Sequence, residues 1–293
     1  MTNRRKTASR RMMVALAALA TAASITSVHA APIKALQDAV PENYRKGVKI
    51  AAFNDWPPDE FVEDGVLKGW SIDMAKAMSE RIGVPFEFTA TSFDAIIPGL
   101  ASKRFDAGFS SFGVTPERLD SLDFIPQRKE GTAYAFLKGK DFSIKSEKDL
   151  CGQSVAVMTG AWDYQYLKEK SAELCESAGE KPINLQQFTT QNAAELAVSS
   201  GGRVEMVAAG SAKMHYMAKI TGGRFSVSEL VSNPVFNGIG VRKGDALGPV
   251  FRDAIQSMID DGSYKEIMAK WGVDGAGTLE KAVLVTKDNP EPK

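Results

Sequence analysis

The chain has 293 residues, 44% of them hydrophobic and 25% charged, with 36 basic and 36 acidic side chains in balance. The composition is that of an ordinary globular protein, and the length allows one large or two smaller domains. With no basic surplus to neutralise phosphates, nucleic acid is excluded as the natural partner.

Arg4, Arg5, Lys6, Arg10 and Arg11 precede an apolar stretch from Met12 to Ala23, and Ser27-Val28-His29-Ala30 ends it with small or neutral residues. This is the layout of a secretory signal peptide over residues 1–30, with cleavage expected after Ala30; the apolar core is short for a membrane span. Ser9-Arg10-Arg11 leaves a twin-arginine route open, and an uncleaved anchor helix is the competing reading. With no cysteine near the cleavage site, a lipid anchor is not expected. The leader holds five basic and no acidic residues, so the exported chain would carry 31 basic against 36 acidic, as suits a soluble protein.

Val48 to Phe53 reads as a buried strand, and Ser71 as the cap of a helix bearing Met74, Met78 and Ile82. Phe86 to Thr89 alternates like a strand; Phe93, Ile96, Ile97 and Leu100 mark a helical face; Phe105 to Phe109 is again strand-like. Ser154 to Met158 predicts a strand, with Gly160 opening a helix from about Trp162. Ala193 to Ser199 predicts a helix and Val204 to Ala208 a strand. Phe251, Ile255, Met258 and Ile259 share one helical face, and Tyr264, Ile267, Met268 and Trp271 another. Residues 31–44 and 274–293 read as loosely organised ends. Alternating strands and helices predict an α/β protein with mostly parallel sheets, which bind ligands at the carboxyl ends of their strands.

Only His215 survives removal of the leader, too few histidines for a His-rich metal site, and its helical setting without nearby acid or thiol reads as structural. Cys151 and Cys175 are the only cysteines. In an oxidising compartment a disulfide is the natural reading, against two buried free thiols. Gly238-Ile239-Gly240 lacks the third glycine of a dinucleotide fingerprint. No phosphate or calcium loop is present, so no cofactor and no metal are expected.

More specific is the order of several short motifs. Val48-Lys49-Ile50 leads to Trp56-Pro57-Pro58 and Gly69-Trp70-Ser71-Ile72-Asp73; Asp94 to Leu100 leads to Phe105-Asp106-Ala107 and then Ser110-Ser111-Phe112-Gly113-Val114-Thr115-Pro116-Glu117-Arg118. Asp123-Phe124, Lys148 to Gly152, Gly202-Arg203-Val204-Glu205, Gly238 to Gly244 and Asp261 to Trp271 complete the set. In this order they resemble the family 3 extracellular solute-binding proteins, which serve polar amino acid ABC importers. The resemblance covers about residues 48–273. It implies a type II periplasmic binding protein fold: two α/β lobes, each a mostly parallel sheet flanked by helices, with two crossing strands as the hinge. Lobe one would comprise residues 48–137 plus 239–273, lobe two residues 138–238, and residues 274–293 a C-terminal tail. The Cys151/Cys175 placement resembles a branch in which the pair is bridged.

The resemblance also assigns roles in the interlobe cleft, which would close over its ligand by hinge motion. Arg118 matches the arginine that grips a ligand carboxylate, a task suited to a planar guanidinium. Ser111 would offer a hydroxyl or carbonyl, and Trp56 an aromatic ring. Gly160-Ala161-Trp162 matches the turn whose amides face the carboxylate, with Ala161 lacking the usual hydroxyl. Three positions depart from the family: Gly210 stands where an aspartate usually meets the ligand ammonium, Phe53 at a second frequent acid, and Gly113 at a frequent serine or threonine. An unpaired ammonium would be costly there. Either the ligand lacks that ammonium, or Asp55, Asp59 or Asp163 replaces the partner. Phe53, Trp56, Phe112 and Trp162 would give the cleft an aromatic lining suited to an alkylated ammonium or a flat ring. The expected ligand is thus an amino acid or related carboxylate, N-modified, cyclic or aromatic. Arg128 and Lys129, where the family often has tyrosines, read as solvated surface charges, with a preference for an anionic ligand as the competing reading, and Glu205 reads as structural.

The implied role is the periplasmic binding component of an ABC importer, a monomer and not an enzyme, partnered by an inner-membrane permease. A sensory binding protein for a membrane receptor is the alternative, and a dehydratase-like enzyme on the same fold a more distant one.

Overall fold

The structure is a computed structural model that describes residues 32–140, 142–201, 204–275 and 277–292. The predicted leader and its cleavage site, and Gly202-Arg203 of the motif set, lie outside the described residues.

Helix α1 (Lys34–Ala39) leads into β1 (Val48–Phe53), a short three-stranded sheet of β2 (Asp55–Trp56), β3 (Glu60–Glu63) and β4 (Val66–Lys68), and α2 (Trp70–Ile82). Next come β5 (Phe86–Thr91), α3 (Phe93–Ala101), β6 (Ala107–Gly113) and the long strand β7 (Leu122–Leu137). Then follow β8 (Ser154–Met158), α4 (Trp162–Lys170), β9 (Asn184–Phe188), α5 (Gln191–Ser199), β10 (Met206–Gly210), α6 (Ser211–Ile220) and β11 (Phe225–Val227). Strand β12 (Ser232–Arg242), α7 (Leu247–Asp260) and α8 (Ser263–Lys270) complete the order.

The main sheet runs β5-β1-β6-β12-β7-β10-β8-β9, with β11 on β7. Its outer strands pair in parallel, β1 with β5 and β6, β8 with β9 and β10. The two middle strands pair antiparallel: β12 follows β7 from Leu122 to Thr132, and β7 continues alongside β10 and β11. Thus β7 and β12 tie a half built on β1, β5 and β6 to a half built on β8, β9 and β10, the arrangement the resemblance implies for crossing strands. Such strands are buried on both faces and read as nearly unbroken apolar runs; β6, β8 and β10 are buried at every position.

The predicted elements appear with shifts at their ends. Helix α2 begins at Trp70, so Ser71 lies in its first turn rather than capping it, and its hydroxyl donates to Gln127 Oε1. Met74, Met78 and Ile82 are fully buried as expected. The strands expected at Phe105 and Val204 start two residues later, at Ala107 and Met206. Neither end of the described chain is loosely organised. Leu36, Val40 and Tyr44 join the core under α2 and α7, while Leu279, Ala282, Val283 and Val285 are buried and Val285 bridges Phe124. Polar composition at these ends masked widely spaced apolar residues that dock singly into existing grooves.

Cys151, just before β8, and Cys175, beyond α4, form a disulfide with Cα atoms 5.5 Å apart, closing a separation of 24 residues. Constraint of the unfolded chain by a loop of that size contributes about 3 kcal/mol. Replacing both cysteines by alanine is expected to lower the denaturant midpoint accordingly. An unchanged midpoint would show that the bridge adds no stability.

Candidate functional site

Seven of the nine predicted binding residues line one small cavity between the two halves of the sheet: Phe53, Trp56, Ser111, Gly113, Arg118, Ala161 and Trp162. The end of β1, the end of β6 and the turn into α4 deliver them, so the site lies at the carboxyl ends of parallel strands. Phe93, Ser110 and Met158 line it as well, and sequence reasoning did not select them. Phe93 had read only as part of a helical face; it is the first residue of α3, where it reaches Phe53 and Phe112 at 5.6 Å.

Phe112 does not line the cavity. Its ring is fully buried in the core, 6.1 Å from that of Phe124. Ser111 and Gly113 face the cleft with Phe112 on the other side, and the break in the pleat at Ser111 lets Ser110 reach the cavity as well. The backbone at Ser111 is left-handed, with φ of 40°. Its hydroxyl donates to Asp59 Oδ2 at 2.6 Å, and its carbonyl accepts from Asn237 Nδ2 at 3.4 Å, which together hold this uncommon conformation. Ser110, next to it, has a buried hydroxyl with no partner among the described residues.

Arg118 spans the cleft. Nη1 donates to the carbonyl of Gly113 at 2.6 Å and Nη2 to that of Gly160 at 2.8 Å, one from each half. The guanidinium carbon lies 5.5 Å and 5.6 Å from the ring centroids of Phe93 and Phe112. Burial pushes its pKa down to about 10, partly offset by Glu117 and Asp163, so it stays charged at neutral pH. Among the described residues no carboxylate forms an ion pair with it. A half-buried cation bonded only to neutral carbonyls retains strong attraction for an anion.

Opposite, Trp162 closes the cavity. A side chain at Gly113 would meet its Cγ and Cδ1 at 2.5 Å, so the indole occupies the space that the family's serine or threonine would need. The remaining volume is about 10 Å³, room for one water at most. Ala161 is the N-cap of α4 without a side-chain cap bond.

Gly210 lies outside this cavity, against Glu130 of β7. A Cβ at Gly210 would stand 2.8 Å from the Glu130 carboxyl carbon, so that carboxylate fills the place of the missing aspartate. Its Oε1 accepts from the Ala212 amide at 2.5 Å and from Ser211 Oγ at 3.3 Å. Sequence reasoning missed Glu130; the pairing of Gly210 with Thr132 is what brings it there. Of the three acids considered as substitutes, Asp55 is only half-buried and accepts from the Asn192 amide across the cleft mouth. Asp59 is held by Ser111 and by Trp70 Nε1 at 2.8 Å, and burial raises its pKa and that of the adjacent Glu60. Asp163 accepts from Thr132 Oγ1 at 2.5 Å, while its second oxygen is buried without a partner among the described residues. Burial, with repulsion from Glu130, lifts Asp163 to about 7, and the Thr132 bond and Arg118 only partly oppose this.

That value fixes the sign of a pH effect. The folded protein holds a proton on Asp163 that the unfolded chain has lost above about pH 4, so stability falls as pH rises toward about 7. Asp163→Asn, which keeps an acceptor for Thr132, is expected to be more stable than wild type near about pH 8, by roughly 4 kcal/mol, and equally stable near about pH 4. Melting curves across this range check it.

Arg128, read as a surface charge, is buried: it stacks 5.9 Å from the Trp70 ring and lies 3.5 Å from Glu130 Oε1. The flanking β12 and Trp70 cover it, which its own neighbours in sequence do not reveal. Lys129 is exposed. Glu205 accepts from the Ser154 amide at 2.8 Å, a structural role, and His215 is exposed on α6. Among the described residues no group of three or more acidic, histidine or cysteine side chains is placed to hold a metal ion. No described helix is long and apolar enough to cross a membrane.

The sequence model of the bacterial extracellular solute-binding proteins, family 3, matches residues 48–274. The chain belongs to this family. Among curated relatives, the family member described here is 31% identical to the arginine-binding protein ArgT of Corynebacterium glutamicum over 257 residues, covering 86% of this chain and 83% of ArgT. Among solved structures, an ancestral arginine-binding protein bound to arginine is 32% identical with a TM-score of 0.68, covering 78% of this chain and 98% of that one. The ancestral amino acid-binding protein AncCDT-1, a precursor of cyclohexadienyl dehydratase, is 28% identical with a TM-score of 0.68 over 81% of this solute-binding protein and 98% of its own chain. The fold is therefore the two-lobed one of these binding proteins.

Proposed function

We propose that this protein is the periplasmic binding component of an ABC importer and captures an amino-acid-like carboxylate that carries a cationic nitrogen. The lobes would be residues 48–137 plus 239–273 and residues 138–238, with Arg118 anchoring the carboxylate between them. The observation that carries this reading is the Arg118 guanidinium, bonded to a carbonyl from each half of the protein and to no carboxylate. A ligand carboxylate in place of these carbonyls would give it a charge-assisted, bidentate partner. A ligand would enter when the two halves part, and on closure Trp162 would cover it together with Phe53, Trp56 and Phe93.

Glu130 and Asp163 support the cationic nitrogen. They restore acidic character beside Gly210, and Asp163 has a buried oxygen still without a donor. On this reading an unmodified amino group is welcome, whereas the sequence alone favoured an N-modified or aromatic acid. Calorimetric titration with L-arginine and with its Nα-acetyl derivative distinguishes the two. The free amino acid is expected to bind at least about tenfold more tightly; the reverse order would overturn the cationic-nitrogen reading. Capture should also depend on pH, because a ligand cation favours ionised Asp163. Affinity is expected to rise about tenfold from about pH 6 to about pH 8.

A further inference from the structure

A second and much larger groove opens where α6 faces the loop after α8. Its volume is about 610 Å³, within the range of small-molecule sites, and it is separate from the nearly filled cavity at Arg118. Arg128, Glu130, His215, Tyr216, Lys219 and Trp271 border it.

Arg128 is the group left unexplained. Its side chain is 4% exposed, its ion pair with Glu130 is long at 3.5 Å, the buried Asp59 acts on it from farther away, and Nε and Nη1 have no partner among the described residues. The same Glu130 oxygen already accepts from the Ala212 amide and Ser211 Oγ. Glu130 and Asp59 keep the guanidinium charged, and its two unsatisfied donors remain free to bond a further acceptor. Around the groove Arg128, Lys129 and Lys219 outnumber the single acid Glu130, so the field favours an anion. Trp271 and Tyr216 add aromatic surface to the lining; the Trp271 ring is fixed by its Nε1 bond to Asp73 at 2.9 Å and by edge contact with Phe61 at 6.1 Å.

We propose that this groove is a second binding site, distinct from the cleft, for a small carboxylate with a flat apolar body. The carboxylate sits on Arg128 with Lys219 beside it, and the body lies against Trp271 and Tyr216. None of these four residues belongs to the Arg118 cavity, so a ligand here needs no contact with Arg118, although Trp271 of the proposed lobe one and Tyr216 and Lys219 of lobe two tie the groove's width to closure of the halves.

The test is a titration with para-fluorobenzoate, followed by fluorine NMR, on the exported form and on its Arg118→Ala variant. Binding is expected in both, and in the Arg118→Ala background is expected to weaken about tenfold on adding Arg128→Gln or Lys219→Glu. Lys219 is exposed on α6, so its variant keeps the test decisive if Arg128→Gln does not fold. Binding that disappears with Arg118→Ala alone would place the probe in the cleft and overturn the proposal. So would binding that Lys219→Glu leaves unchanged, or no binding at all. None of these outcomes touches the role of Arg118, which rests on its own titration.

Discussion

Arg118→Ala is expected to weaken capture of a carboxylate ligand by about a hundredfold or more, with little change in the melting temperature of the unliganded protein. Removing one partner of a desolvated charge pair costs about 2–5 kcal/mol, much of it from leaving the other charge unpaired. Stability should hardly follow, because Arg118 has no ion pair to lose. Its bonds go to two backbone carbonyls near the cleft surface, and water can replace them. Titration of the same ligand into both proteins, beside their melting curves, separates the effects. A large loss of stability with unchanged affinity would make Arg118 a structural strut between the halves. Lysine should not rescue, since an ammonium cannot reach both oxygens of a carboxylate as a planar fork does.

Gly113→Ser is the second substitution with a large expected effect. It restores a residue common at this position in the family, yet should harm this protein. The new Cβ would press on Trp162 at 2.5 Å and on that residue's own Cβ at 3.0 Å, and neither the ring root nor the start of α4 can yield cheaply. Overpacking of this kind costs about 1–3 kcal/mol, here charged to the closed arrangement of the two halves. Ligand affinity is therefore expected to fall about five- to hundredfold. Trp162→Thr should remove the collision, so that the double variant binds better than Gly113→Ser alone. This coupling is the decisive reading, because additive effects would show that the two residues do not share the space.

These pairings show which parts of the molecule a sequence discloses. Parallel strands leave nearly unbroken apolar runs, interrupted in β1 only by the exposed Lys49, and β1 and β8 were legible to the residue. Helix faces such as Met74, Met78 and Ile82 follow from period alone. Arg118, Ser111 and Trp162 were legible because each sits in a local motif whose order is distinctive. Phe112 was misplaced because alternation along β6, which puts it opposite Ser111 and Gly113, is interrupted by the left-handed backbone at Ser111 that also brings Ser110 to the cavity.

Glu130 was not legible. It lies about eighty residues from Gly210 along the chain, and only the register of β7 against β10 joins them. The same strand hides Arg128, which looks like a solvated charge until Trp70 and β12 are laid over it. Loss of an acid at one position and its gain on a neighbouring strand is a compensation in space, invisible to a reading that moves along the chain.

The most direct test of the proposed capture is a thermal-shift screen of residues 31–293 and of their Arg118→Ala variant against amino acids and their N-substituted and decarboxylated derivatives. Ligands that bind only the folded state raise its midpoint by mass action. The cleft account predicts that effective compounds carry both a carboxylate and a cationic nitrogen, and that their effect is lost in Arg118→Ala. Compounds that act without a carboxylate, or that stabilise Arg118→Ala as strongly as the wild type, would contradict it.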